Sequence, residues 1–387
     1  MTIRFMRLIV FSSIVWVVAG SASARAQTRV SAPGVDDVRL NQIQVVGTHN
    51  SYHVAPTAEV MEQIADFHKS LARAVDYTHR PFAEQFSKLG IRQIELDVWA
   101  DPVGGLFAAP FARQILKAKG KKLDPDPDEG GVLTKPGLKV LHFFDFDYRS
   151  TAPTFKNALE QVKAWSKENP SHTPILILVE LKDEPQQPIP RYPVKFDRTT
   201  IESVDKEILE VFDRSSLIAP DDVRGKASTL REAILNNGWP ALDQCRGKVM
   251  FALDNEGAIG DLYRADRPSL EGRLMFASVD PEAPAAAWFK INDPIRDYER
   301  IRSLVARGFM VRTRADADTV EARKNDVERR DRALSSGAQF VSTDFPEPRP
   351  EFSSYKVALH GGAVARPNPV AKPKTRAEIV DLEGKLK

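Results

Sequence analysis

Six polar residues interrupt apolar runs where a core would not use them: His49 and Asn50 in "VVGTHNSYH", Glu95 and Asp97 in "IELDVW", His142 in "VLH", and Glu180 in "ILILVEL". Side chains on a strand alternate with a period of two, so Glu95 and Asp97 point the same way. Glu180, from another run, is expected to join them. Two like charges ~4 Å apart repel by roughly 4 kcal/mol at an effective dielectric of 20, so such a cluster holds either a proton or a cation. Asn50 adds a neutral amide oxygen. Oxygen donors without thiolate suit a hard divalent ion, Ca2+ ahead of Mg2+, with water and substrate oxygens completing the shell. His49 and His142 are then free to move protons or to face a phosphoryl group. The chemistry implied is metal-assisted cleavage of a phosphodiester.

These residues need elements that bring them together. Apolar runs occur at Ile43 to Val46, Ile91 to Val98, Leu138 to Phe144, Ile175 to Leu181, Val249 to Leu253, Leu274 to Val279, Phe309 to Val311 and Phe340 to Val341. Amphipathic stretches between them, such as Phe155 to Lys167, Thr200 to Phe212, Thr229 to Leu235, Ile295 to Arg307 and Thr319 to Leu334, read as helices. Eight strands alternating with helices predict an α/β fold, a somewhat irregular TIM (β/α)8-type barrel, whose strands present their carboxyl ends on one catalytic face. Trp99 to Pro136 has no clear helix and is expected to be a long loop beside the site after the second strand. Its acidic run Asp124, Asp126, Asp128 is not an EF-hand, since Glu129 and Lys135 stand where that loop needs Gly and Glu.

Residues 1–26 read as a secretory signal peptide: Arg4 and Arg7, an apolar run from Leu8 to Gly20, then "ARA". That run is shorter than the ~20 residues that span a bilayer, so the mature chain is expected to be secreted or periplasmic. Residues 27–364 are expected to form the barrel, and 365–387 a Pro- and Lys-rich linker with a charged tail. A net charge of +2 makes no case for nucleic acid, and the single Cys245 excludes an internal disulfide and a cysteine metal site. The other histidines, His53, His68, His79, His172 and His360, are read as surface or packing residues.

"THNSY", "IELDVW", "VLH" and "ILILVELKD", in this order at successive strand ends, resemble the catalytic half of the calcium-dependent phosphoinositide-specific phospholipases C, nearest the secreted bacterial branch. "KVMFALDN", "MVRTRADAD" and "GAQFVSTDFP" resemble the second half, so the likeness runs from Leu40 to Pro346. By that resemblance Asn50, Glu95, Asp97 and Glu180 ligate Ca2+, His49 steadies the phosphoryl group, and His142 protonates the leaving diacylglycerol oxygen. Glu95 or Glu180 takes the proton of the inositol 2-hydroxyl. The implied products are diacylglycerol and a cyclic inositol phosphate. Lys182, on the face of Glu180, and Arg312 and Arg314, on one face of the seventh strand, are candidate contacts to the phospholipid headgroup. Without appended domains, transient membrane contact rests on barrel loops, for instance "GGLFAAPF" from Gly104 to Phe111, unless that loop packs as a lid. The protein is expected to be a monomer. Two alternatives stand: a glycerophosphodiester phosphodiesterase, whose relatives carry His-Arg where this chain has His49 and Asn50, and a secreted Ca2+-binding relative without turnover.

Overall fold

The computed structural model describes residues 38–185, 191–373 and 381–383. The expected signal peptide and most of the tail therefore lie outside the described residues. Among the described residues eight parallel strands of three residues or more carry the fold, with the two-residue strand Leu217–Ile218 added beside Val249 and Met250: β1 (Ile43–Thr48), β2 (Gln93–Trp99), β3 (Ile175–Lys182), β4 (Val249–Leu253), β5 (Met275–Ala277), β6 (Trp288–Lys290), β7 (Met310–Arg314) and β8 (Phe340–Thr343). Their ladder runs β6, β7, β8, β1, β2, β3, β4, β5, so first and last strands pair and the sheet curls into a barrel. With helices outside and side chains inside, strands are covered on both faces. That is why "ILILV" of β3 is buried throughout.

The expected count of eight is reached by two compensating differences. Leu138 to Phe144 is not a barrel strand: only Lys139–Val140 is extended, antiparallel to the end of β2. β6 comes from "AAAWFKI", whose strand of three residues is too short for a periodic signal. The helices at Phe155–Glu168, Arg198–Val211, Leu230–Asn236 and Tyr298–Ala306 match the amphipathic stretches. The last stretch divides into Val320–Lys324 and Glu328–Ser335 around Asn325, whose φ of 52° ends the first helix.

Above the carboxyl ends of β1 to β3 sits a second apolar core. It joins Val60 and Ile64 of the helix Ala58–Phe67, Trp99 at the end of β2, Phe107 of the loop that follows, and Leu141, Phe144 and Phe146. The long loop is thus ordered, and it contains a helix at Phe111–Ala118. Phe107 lies against Trp99 and Phe144 with ring centroids 5.9 and 5.1 Å apart, so "GGLFAAPF" packs as a lid. Burying such a side chain contributes roughly 1.5–3 kcal/mol, enough to hold a loop in place. Asp124 of the acidic run is tied to Arg113 and Tyr148.

The opposite end is closed by the chain's own terminus. Ala365–Pro367, within the segment expected as a linker, pairs antiparallel with the start of β1. There Leu382 N donates to Ala365 O at 2.7 Å, and Glu383 meets Arg92 and Thr173 with both charged side chains fully enclosed.

Candidate active site

The first strand ends in a turn that aims its polar residues. Gly47 has no side chain because Gln93 of β2 crosses above it; a Cβ there would fall 2.0 Å from Gln93 Oε1. Asn50 adopts a φ of 43°, a left-handed conformation that Asn tolerates better than most residues. The turn is fastened to β2 by Ser51, whose N donates to Glu95 O at 3.0 Å and whose Oγ accepts from Glu95 N at 2.8 Å. Thr48 and Ser51 hydrogen-bond each other at 2.7 Å, which accounts for both hydroxyls locally.

Glu95, Asp97 and Glu180 meet as the spacing predicts, with carboxylate oxygens within 4.8 Å of one another. Pairing of Asp97 with Glu180 across the β2–β3 ladder puts them side by side. Burial lifts Glu95 to about 7 against the pull of Arg312, and burial likewise raises Asp97 far above its ordinary range despite Lys182. Burial also works to raise Glu180, but Lys182 and Lys290 outweigh it and hold this acid ionised. Lys182 Nζ stands 2.9 Å from Asp97 and 3.4 Å from Glu180. Asn50 Oδ1 and Asp97 Oδ1 are buried without a hydrogen-bond partner. An orphaned buried oxygen is costly, and that of Asp97, within a cluster of three carboxylates, is a donor of the hard oxygen type that Ca2+ takes. The residues present therefore fit the metal.

His49 reaches the same mouth from β1. Its Nδ1 donates to Asp344 Oδ1 at 2.8 Å, leaving Nε2 3.3 Å from Arg314 Nη1 and 3.7 Å from Glu95 Oε1. Burial, with Arg314 beside it, lowers His49 to about 3 although Asp344 opposes the shift, so the ring is neutral before an anion arrives. His79 Nε2 donates to the carbonyl of His49 at 2.8 Å. Arg314 also binds Asp344, at 3.1 Å. Arg312 is enclosed, and its guanidinium is held by Glu95, Asn292 and Ser342.

His142 arrives from the loop laid over β2, with Leu141 N donating to Asp97 O at 3.3 Å and Trp99 Nε1 to Leu141 O at 2.7 Å. Its Nδ1 donates to Asp147 Oδ2 at 2.7 Å. A groove of about 780 Å³ opens from Glu180 and Lys182 past Phe143 toward Phe196 and Ile259.

Sequence reasoning missed several residues here. His53 is fully buried on Asp147, so it and His79 belong to the site's framework. Asp344 and Asp254 end β8 and β4 in "VSTDF" and "ALDN"; the rule that singled out the six first residues, a polar group closing an apolar run, applies to both. Asp254 is paired with Lys290 of β6 at 2.6 Å, a partner hidden with its strand.

The sequence model of the family described as phosphoinositide phospholipase C, Ca2+-dependent, matches residues 38–369. No curated protein matches the chain. Among solved structures the chain is similar to a calcium-dependent phosphoinositol-specific phospholipase C from a Gram-negative bacterium, Pseudomonas sp., in its apo form, with 17% identity, a TM-score of 0.52, and 87% of this chain and 98% of that chain covered. A structure of the same protein titled as its myoinositol complex gives 17% identity and a TM-score of 0.51 over 87% and 98% of the two chains. At this identity the likeness establishes the barrel; the family match establishes the kinship.

Proposed function

Because the chain belongs to the Ca2+-dependent phosphoinositide phospholipase C family, and is therefore a Ca2+-dependent phosphodiesterase, we propose that it cleaves phosphatidylinositol to diacylglycerol and a cyclic inositol phosphate. The observation that carries this reading is the meeting of Glu95, Asp97 and Glu180, with one oxygen of Asp97 buried and unpartnered.

Asn50, Glu95, Asp97 and Glu180 hold the metal. The chemistry supplied there by Ca2+, when bound, would be a lowered pKa for the attacking hydroxyl and an offset to charge developing on phosphorus. Glu180, the most open of the acids, or Glu95 accepts the 2-hydroxyl proton as the new oxygen–phosphorus bond forms. His142 gives a proton to the glycerol oxygen as its bond to phosphorus breaks. His49 faces the phosphoryl oxygens, held by Asp344 and steadied by Arg314; an anionic substrate there raises the imidazole toward its charged form. Lys182 lines the groove and meets the phosphate or a headgroup hydroxyl. Arg312, already spent on Glu95, serves by fixing that carboxylate. We place the mature protein outside the cytoplasm on the strength of its leader. Membrane contact rests on Phe67, Val103 and Tyr192, exposed apolar residues that follow the carboxyl ends of β1, β2 and β3.

The test is turnover of phosphatidylinositol with Ca2+ and with chelator, beside glycerophosphocholine and the variants His49→Ala and His142→Ala. Expected are loss on chelation, losses of about 10²–10⁴-fold for each histidine, and no cleavage of glycerophosphocholine. Turnover that survives chelation, or cleavage of the soluble diester alone, refutes the reading.

A further inference from the structure

Asp147 stands between two imidazoles. His53 Nε2 lies 2.8 Å from both of its oxygens, and His142 Nδ1 lies 2.7 Å from Oδ2. The far nitrogen of His53, Nδ1, faces the carbonyl of Tyr77 at 3.1 Å. His53 therefore bridges Asp147 to the backbone of Tyr77 and holds the carboxylate in place. Asp147 is ionised: burial works to raise it, but His53 and His142 outweigh that and bring it to about 2.

The trio is fixed from every side. His53 is fully buried, stacks on Tyr77 at 4.3 Å, and its N donates to Asn50 O at 2.8 Å. The loop carrying Asp147 is closed by reciprocal bonds between Phe143 and Asp147 at 3.1 and 2.8 Å, and Phe144 anchors it in the upper core. Of the three, only His142 opens toward the mouth, its side chain 16% exposed. The charged groups around it are Asp147 on its own loop, His53 from the turn after β1, and Lys182 and Glu180 from β3.

We propose that His53 and Asp147 are positioning residues for His142, a buried hydrogen-bonded pair that sets its tautomer and its acidity. With Nδ1–H committed to Asp147, the proton delivered to the leaving oxygen is carried on Nε2. An unbalanced aspartate would make that imidazole a stronger base and a poorer donor. His53 shares that carboxylate, so the pull of Asp147 is divided between two rings and geometry is gained with little loss of acidity. Because His53 lies three residues after Asn50, the same turn that aims a metal ligand also fixes the proton donor. This inference rests on the proposed activity, in which His142 protonates an alkoxide.

The test compares two substrates: phosphatidylinositol, whose glycerol oxygen needs a proton to leave, and myo-inositol 1-(4-nitrophenyl phosphate), whose phenolate does not. Asp147→Asn is expected to lower kcat on phosphatidylinositol by about a hundredfold, within the range general acid catalysis supplies, with KM nearly unchanged. The ratio of turnover on the two esters should fall by a similar factor. His53→Gln should shift that ratio the same way, about tenfold. In the His142→Ala background neither substitution should add to the loss, since groups that act through one residue are not additive. If Asp147→Asn does not fold, as a melt will tell, His53→Gln and its cycle with His142→Ala decide. Equal slowing of both esters, a loss carried by KM, or additive losses overturn the proposal while wild-type turnover stands. Wild-type protein that cleaves neither inositol ester overturns the activity reading, and this inference with it.

Discussion

Glu95 keeps its proton to about 7 because burial outweighs the pull of Arg312. A metal that claims this carboxylate must displace that proton, so Ca2+ binding strengthens as pH rises through 7, and Asp97, which burial also raises, adds to the dependence. Affinity should fall about tenfold or more for each pH unit below 7, and calorimetric titration at pH 6 and 8 in buffers of different ionisation enthalpy reads both the affinity and the proton released. Equal affinity at the two values would refute the assignment of Glu95 as a ligand. Lys182 tests the same cluster from the other sign. Its ammonium lies 2.9 Å from Asp97 and 3.4 Å from Glu180 and repels an incoming cation. Lys182→Met is therefore expected to bind Ca2+ several-fold more tightly while losing more than tenfold in kcat/KM. Weaker Ca2+ binding in that variant would show that Lys182 organises the ligands more than it opposes the ion.

At the scale of elements, residues that close long apolar strands were legible: Glu95, Asp97 and Glu180 follow from periodicity, and the ladder pairs them. His142 reached the site by another route, since its segment crosses β2 as a two-residue antiparallel strand and is held by aromatic packing that no local pattern announces. Short strands were the hidden ones. β6, with three residues between turns, is seen only through its ladder with β7, and Lys290 was hidden with it. Asp147 was illegible for a further reason, that its partner His53 lies 94 positions away in the chain. The loops above the strands carry their own prediction. Phe67, Val103 and Tyr192 are exposed while Phe107 is buried, so replacing the first three with Ser should reduce vesicle binding several-fold and leave turnover of a soluble inositol ester unchanged. Vesicle sedimentation beside that assay separates the two, and unchanged sedimentation would remove these loops from the membrane contact.

Across the whole molecule, the pair Arg92 and Glu383 joins the start of β2 to the end of the chain, with both side chains withdrawn from water. Breaking a buried ion pair by removing one partner costs about 3–5 kcal/mol, because the other charge is left without compensation. Glu383→Leu should destabilise by that amount in denaturant unfolding, and adding Arg92→Met should recover part of it; a loss below about 1 kcal/mol would mean that the guanidinium finds water when its partner is gone. The same closure has a consequence in time. β1 pairs with β8 and with Ala365–Pro367, and Glu383 then seals the base beneath Arg92. A chain made from its amino end therefore waits for residues 340–343 and 365–367 before its first strand is fully partnered. Until then β1 and β2 expose apolar edges, the state in which a chain is held by chaperones or aggregates. Formation of the site is thus coupled to a distant segment, and His49 and Asn50 at the end of β1 are set in place only when β8 has arrived beside that strand.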